Sequence, residues 1–219
     1  NDPAGKIAKA TGKTATDFGS KCTPPPAGKL DGPFPPYGAT DANTVNGAGT
    51  AKSRDLAHAL FGADLDLPGL LLTEAADAAA AKCQQAVWRA ATKCEQTRLG
   101  ELAKCKKLGL KGQTPPGAIA SAADLSDVCL GAGAGGQPDA KGKIAKKCSD
   151  PAKGILKEVA GKCGGQDLTA RFPGCATADA AATAACVDRK VRCAVCRAAA
   201  QADDLARDCD LFDDGLANT

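Results

Sequence analysis

The side chains with the greatest chemical potential in this sequence are its twelve cysteines. Two of them, Cys193 and Cys196, form a Cys-x-x-Cys motif, a spacing used by redox pairs, zinc sites and, before a histidine, covalent haem. No strands are predicted around the motif, no second such motif accompanies it, and Arg197 occupies the histidine position. We therefore interpret it as two structural half-cystines with different partners, and keep a redox or metal-binding role as an alternative.

The other motifs that could support catalysis or ligand binding are incomplete. His58 is the only histidine, so no Ser-His-Asp set can be assembled. The acidic segment 208–215, DCDLFDDG, departs from a calcium-binding loop because Phe212 occupies a position that should supply oxygen. The Gly-Lys-Thr at 12–14 and the glycine run at 131–136 lack the flanking strand and helix of nucleotide-binding loops. We predict that the chain is not an enzyme and has no catalytic residues, cofactor or metal ligands.

One long helix must position three of the cysteines. The segment 73–108 contains no proline and is rich in strong helix formers, with Thr73 as the predicted N-cap. Its cysteines, Cys83, Cys94 and Cys105, are eleven residues apart, which is three turns plus about 20°. They therefore share one stripe at intervals of about 16 Å. Because a disulfide needs Cα atoms within about 7 Å, each must bond to another segment.

A second long helix is predicted from residue 177 to about residue 207. It carries Cys186, Cys193 and Cys196 on one broad face. We expect a disulfide between Cys94 and Cys186 to bridge the two long helices. The fold class predicted from these elements is all-α, a disulfide-stapled helical bundle with shorter helices around the two long ones.

Cysteine number and composition indicate an oxidising compartment. The chain has no methionine, one tryptophan, one tyrosine and five phenylalanines, so an aromatic-poor core would depend on disulfides for much of its stability. We expect a mature secreted chain, extracellular or at the cell surface, whose signal peptide has been removed. All twelve cysteines are predicted to form up to six disulfides: Cys22, Cys83, Cys94, Cys105, Cys129, Cys148, Cys163, Cys175, Cys186, Cys193, Cys196 and Cys209.

The N-terminal part of the chain, residues 1–51, is predicted to be an arm. A short helix is expected after Pro3, and the following segment contains six prolines and several glycines, which favour an extended conformation. This arm carries Cys22, Phe34 and Tyr37, which we predict to be the residues of an assembly contact.

The rest of the chain is predicted to form two helical subdomains. Residues 52–130 contain the long helix with Cys83, and residues 139–219 contain the second long helix. The glycine-rich segment 131–138 between them is the predicted linker.

The segments KCEQTRLGELAKCKKLGLK (93–111) and CVDRKVRCAVCRAAAQADDLARDCDLFDDG (186–215) resemble a group of uncharacterised alanine- and cysteine-rich secreted proteins of environmental bacteria. The resemblance lies in the cysteine spacing and the acidic ending. It implies export and a helical fold, and it implies no catalytic activity.

These features favour a non-enzymatic structural protein, a filament or surface subunit that polymerises by exchanging its arm. The alternative from a different class is a secreted monomeric binding module for a small apolar ligand. No run of about 18 apolar residues suggests a membrane span, and lysines interspersed with acids at a net charge of +3 argue against nucleic-acid binding. Thr23 and Thr40 are the candidate positions for O-glycans.

Overall fold

The computed structural model describes most of the chain and shows helices without strands in the described part, which confirms the all-α, disulfide-rich class. The described residues are 4–21, 41–65, 69–113, 116–132, 136–203, 209 and 212. The predicted arm residues Cys22, Phe34 and Tyr37, and the glycosylation candidates Thr23 and Thr40, lie outside them. So does most of the acidic segment 208–215.

Eight α-helices and one π-helical segment follow one another along the described ranges. They are α1 (Lys6–Lys21), α2 (Ala42–Phe61), α3 (Glu74–Gly109), α4 (Ala122–Asp124), the π-helix (Leu125–Leu130), α5 (Lys143–Lys147), α6 (Ile155–Lys162), α7 (Leu168–Arg171) and α8 (Ala180–Ala202). None of these helices combines the length and apolar character that a membrane crossing requires.

Helix α3 closely matches the predicted long helix. Thr73 caps it, because its hydroxyl accepts a hydrogen bond from the backbone N–H of Ala76. Asp77 interrupts the first turn with non-helical dihedrals, and its carboxylate accepts from the amides of Ala79 and Ala80. A second cap therefore restarts the helix one turn after the first.

Helix α2 corrects the predicted start of the helical region. It begins at Ala42, ten residues before the expected boundary at 52, so residues 42–51 are not part of an extended arm. Asp41 caps the helix by accepting from two backbone amides, and the amide of Thr44 contributes most to lowering the pKa of that carboxyl below its usual value. The six prolines of the segment 22–51 all precede this cap. Burial of Ala48 offsets the low helix propensity of the neighbouring Gly47 and Gly49.

Helix α8 also differs from its predicted bounds, which were 177 and about 207. It begins at Ala180 because the Asp179 side chain accepts from the amide of Ala182, and its last residue is Ala202. Helix α8 packs against α2, α3 and α6.

One hydrophobic core of the described residues joins helices α2 to α8 and the π-helix. Leu56 and Val87 precede the glycine-rich linker and Ile155 and Val187 follow it, yet all four belong to one buried cluster. The linker predicted at 131–138 therefore does not separate two cores. Leucine, valine, alanine and cysteine supply most of the cluster.

The loop before α8 is anchored on the end of α2. The backbone N–H of Gly174 donates to the carbonyl oxygen of Leu60 at 3.2 Å. A Cβ atom at position 174 would overlap the carbonyl oxygen of Ala59, which is backbone and cannot rotate away. Only glycine fits this contact.

We expect Gly174→Ala to lower the free energy of unfolding by about 2 kcal/mol or more, because the loop must move off α2. Gly164→Ala is the matched control, since the nearest heavy atom to a Cβ there is the Ala160 carbonyl oxygen at 4.0 Å. Chemical denaturation monitored by circular dichroism measures both. Equal stability of the two variants would contradict the close approach.

Candidate functional site

The three cysteines of α3 each bond to a different segment, as their spacing requires. The first partner lies just after α6, the second just after α5 and the third in the π-helix. The Cα–Cα distances of these three bonds are 4.7, 5.1 and 5.6 Å, in that order. These bonds attach α3 to its neighbours at three heights. The three pairs are Cys83–Cys163, Cys94–Cys148 and Cys105–Cys129.

The other two described disulfides join α8 to its flanking segments. Cys175 bonds to Cys186 across 11 residues, and Cys196 bonds to Cys209 across 13 residues. Both bonds close short loops. The first attaches Cys175, before α8, to that helix, and the second attaches Cys209, beyond its end.

The predicted bond between Cys94 and Cys186 is wrong. Cys94 bonds to Cys148, and the α8 residue that faces it is Asp188, whose carboxylate oxygen lies 3.6 Å from the Cys94 sulfur. Two residues along a helix rotate the side chain by about 200°, so Cys186 points to the opposite side. The two long helices meet through an ion pair instead of a disulfide.

The Cys-x-x-Cys motif does not form an internal disulfide. Cys196 bonds to Cys209, and Cys193 is buried with 1% of its surface exposed. A redox role needs two sulfurs that can bond to each other at an accessible position, so this arrangement disfavours that alternative.

The described residues contain one group with the spacing of a metal site. Atoms of Cys94, Cys148 and Asp188 lie within 4.8 Å of one another. The two sulfurs are bonded to each other, and a disulfide sulfur is not the thiolate that a metal requires. This cluster is therefore structural.

A buried ion pair lies beside that cluster and joins α3 to α8. Arg98 Nη2 donates to Asp188 Oδ1 at 2.8 Å, and the two side chains are only 6% and 14% exposed. Arg98 also donates to Gln137 Oε1 at 3.2 Å, and the Gln137 amide donates back to the Arg98 carbonyl at 2.8 Å. Arg192 supplies a second cation to Asp188 at 3.2 Å. The network holds the end of the glycine-rich segment against both long helices.

Two further polar side chains, Glu95 and His58, contain buried atoms. Burial raises the pKa of Glu95 above its usual value, so the folded state binds that proton more tightly than the unfolded chain. Its contribution to stability therefore decreases as the pH rises from the unfolded pKa through the folded one. The Nδ1 atom of His58 is buried without a hydrogen-bond partner among the described residues.

A concentration of positive charge on the surface of the chain was not predicted from the sequence. A groove of about 520 Å³ between α3 and the segments around α5 and α6 is lined by seven Lys and Arg side chains and one carboxylate. The sequence contains an indication of this charge, because lysine directly precedes half of the cysteines. A disulfide between two such Lys-Cys pairs therefore places two lysines next to one cross-link. These Lys-Cys pairs are 21–22, 82–83, 93–94, 104–105, 147–148 and 162–163.

A smaller apolar cavity lies on the other side of α3. It has a volume of about 210 Å³, and Phe61, Leu72 and Trp88 are among its lining residues. The ring centroids of Phe61 and Trp88 are 6.1 Å apart, so part of the chain's small aromatic content is concentrated here.

Comparison of this chain with protein-family models, with curated proteins and with solved structures found no match in any of the three. The resemblance to secreted alanine- and cysteine-rich proteins therefore stays a prediction. Functional arguments rest on the geometry of the chain itself.

We expect Asp188→Ala to lower the free energy of unfolding by about 3 kcal/mol, because it leaves the Arg98 guanidinium buried without its anion. The control is Lys13→Ala, which breaks an exposed helix pair with Asp17 and should cost about 0.5 kcal/mol or less. Urea denaturation of both variants tests this. A loss at Asp188 no larger than that at Lys13 would contradict a structural role for the buried pair.

Proposed function

We propose that this chain is a non-enzymatic extracellular structural protein that self-associates by exchanging its N-terminal segment between subunits. Five disulfides among the described residues support an oxidising, non-cytoplasmic location. In the exchange, α1 of one subunit packs on α2 of the next. A head-to-tail contact of this kind closes into a ring or continues as a filament.

The observation that carries this proposal is the shallow packing of α1. Most of its 16 residues are exposed, including Ile7 at 57%, and its contact with α2 includes a single long hydrogen bond from Asn46 to the Thr11 carbonyl at 3.4 Å. A helix of this length is marginal in water by itself, so it needs a surface to pack on. The same surface on a neighbouring subunit offers the same contacts, so exchange loses little free energy.

Helix α2 limits which part of the chain exchanges. Its residue Ala48 is 1% exposed and α2 packs extensively on α8, so α2 stays with its own subunit. The exchanging segment is therefore 1–40, shorter than the predicted arm 1–51. The proline-rich stretch between α1 and α2 is 20 residues long, and such a segment can reach about 60 Å in the polyproline conformation.

A secreted binding module for a small apolar ligand is the second candidate. The cavity beside Phe61 and Trp88 favours it, because nearly all of its lining is apolar. Its volume of about 210 Å³ limits the occupant to a small molecule or part of a chain. Mass spectrometry of a solvent extract of the purified protein distinguishes this candidate from the first, since a structural subunit needs no copurified ligand.

We expect Phe18→Glu to shift the protein from polymers to monomers, because Phe18 is half-buried on the exchanging helix and a carboxylate there opposes its packing on a neighbour. Removal of residues 1–40 should have the same effect while keeping the Asp41 cap and all five described disulfides. Size-exclusion chromatography with light scattering measures the oligomeric state.

Leu110→Glu is the matched control, since Leu110 is 49% exposed and lies just after α3, outside the exchanging segment. This variant should polymerise like the unmodified chain. A monomeric unmodified chain, or polymers that persist without residues 1–40, would refute the exchange.

A further inference from the structure

We propose that the groove between α3, α5 and α6 binds an acidic polysaccharide, a chain that carries both anionic groups and free hydroxyls. This inference does not depend on the exchange of α1. The groove holds seven cationic side chains and one carboxylate, which leaves six net positive charges in a chain whose total net charge is +3. The charge is therefore concentrated at one place on the surface.

Each half of the disulfide at one end of the groove follows a lysine in sequence. Lys82 precedes Cys83 and Lys162 precedes Cys163, and the two cysteines are bonded with their Cα atoms 4.7 Å apart. Both lysines are exposed and line the groove. Two like charges therefore line the same groove, an arrangement that opposes folding.

The second disulfide repeats this arrangement three turns further along α3. Lys93 precedes Cys94 and Lys147 precedes Cys148, and these cysteines are bonded at a Cα–Cα distance of 5.1 Å. The two ends of the groove are about 16 Å apart, since eleven residues of helix separate them. Arg89 lies on the same face of α3 between them. The cations thus form an elongated row, which matches an extended polyanion better than a compact anion.

Nearly all of these cations lack a carboxylate partner within the described ranges. The exception is Lys153, which lies 3.7 Å from Asp150. By contrast, Lys52 and Lys104 each form a close pair with an acid on the same helix. Six cations without ion-pair partners in the described part of the chain, beside a single groove carboxylate, raise the local potential and attract a polyanion.

The uncharged and acidic residues of the groove indicate which polyanion fits. No aromatic side chain is among the described residues that line it, so nucleic-acid bases have no surface on which to stack. Gln85 offers an amide, and Glu158 offers a carboxylate that repels any anionic group but accepts a hydrogen bond from a hydroxyl group. A sugar chain with sulfate or carboxylate groups supplies both the anions and the hydroxyl donors.

The test is isothermal titration of the full chain with heparin oligosaccharides and oligogalacturonates, and with single-stranded DNA and inorganic polyphosphate for comparison. We expect an acidic sugar to bind, with an affinity that decreases as salt concentration increases. The double variant Lys82→Gln/Lys162→Gln should bind it roughly tenfold more weakly, with a shallower salt dependence. Its melting temperature should not decrease, because the substitutions remove repulsion between like charges.

The control Lys107→Gln/Lys111→Gln removes the same charge near the end of α3, outside the groove, and should change the affinity by less than about twofold. Three results would each overturn the proposal. They are no binding of either acidic sugar, equal weakening in both double variants, and binding of DNA or polyphosphate as tight as that of the sugars.

Discussion

The rest of the structure depends on the eleven-residue spacing of the cysteines along α3. This spacing returns to the same face of the helix every three turns, and each sulfur bonds to a segment that is 80, 54 or 24 residues away in sequence. By the loop-entropy relation these closures stabilise the fold by about 4.5, 4.2 and 3.5 kcal/mol. Each value is a large share of the total stability of a typical domain, which is about 5–15 kcal/mol.

The composition of the core explains why the chain needs these bonds. Alanine, valine and cysteine bury less apolar surface than the larger residues that fill most cores. Small side chains also allow helix backbones to approach closely, which brings cysteine Cα atoms within bonding distance. The small core residues thus reduce the apolar surface that is buried, and they also make the disulfides geometrically possible.

The fold class and the long helix α3 could be predicted because their signals are local. Helix propensity, the Thr73 cap and the cysteine spacing all lie within one segment. Disulfide pairing could not be predicted, because it depends on which face of α8 meets α3, and Asp188 occupies the place assigned to Cys186. The start of α2 was missed for another reason. The prolines end before Asp41, and the Asp41 side chain then caps a helix that contains two glycines near its start.

The basic groove escaped prediction because its cations come from two segments, 82–93 and 147–162, that are far apart in sequence. Their meeting depends on the disulfides Cys83–Cys163 and Cys94–Cys148, whose pairing could not be predicted. The cross-links therefore have two consequences, a rigid body and a concentrated charge. Both are required by the roles that we propose, self-association and binding of a polyanion.

Disulfides, more than apolar burial, maintain this fold. The most direct measurement is thermal unfolding of the oxidised chain and of the reduced and alkylated chain, followed by circular dichroism in the far ultraviolet and in the near-ultraviolet bands of Trp88. The account predicts a cooperative transition at high temperature for the oxidised chain, and loss of both cooperativity and the near-ultraviolet signal after reduction. A reduced chain that keeps the same transition and the same signal would contradict it.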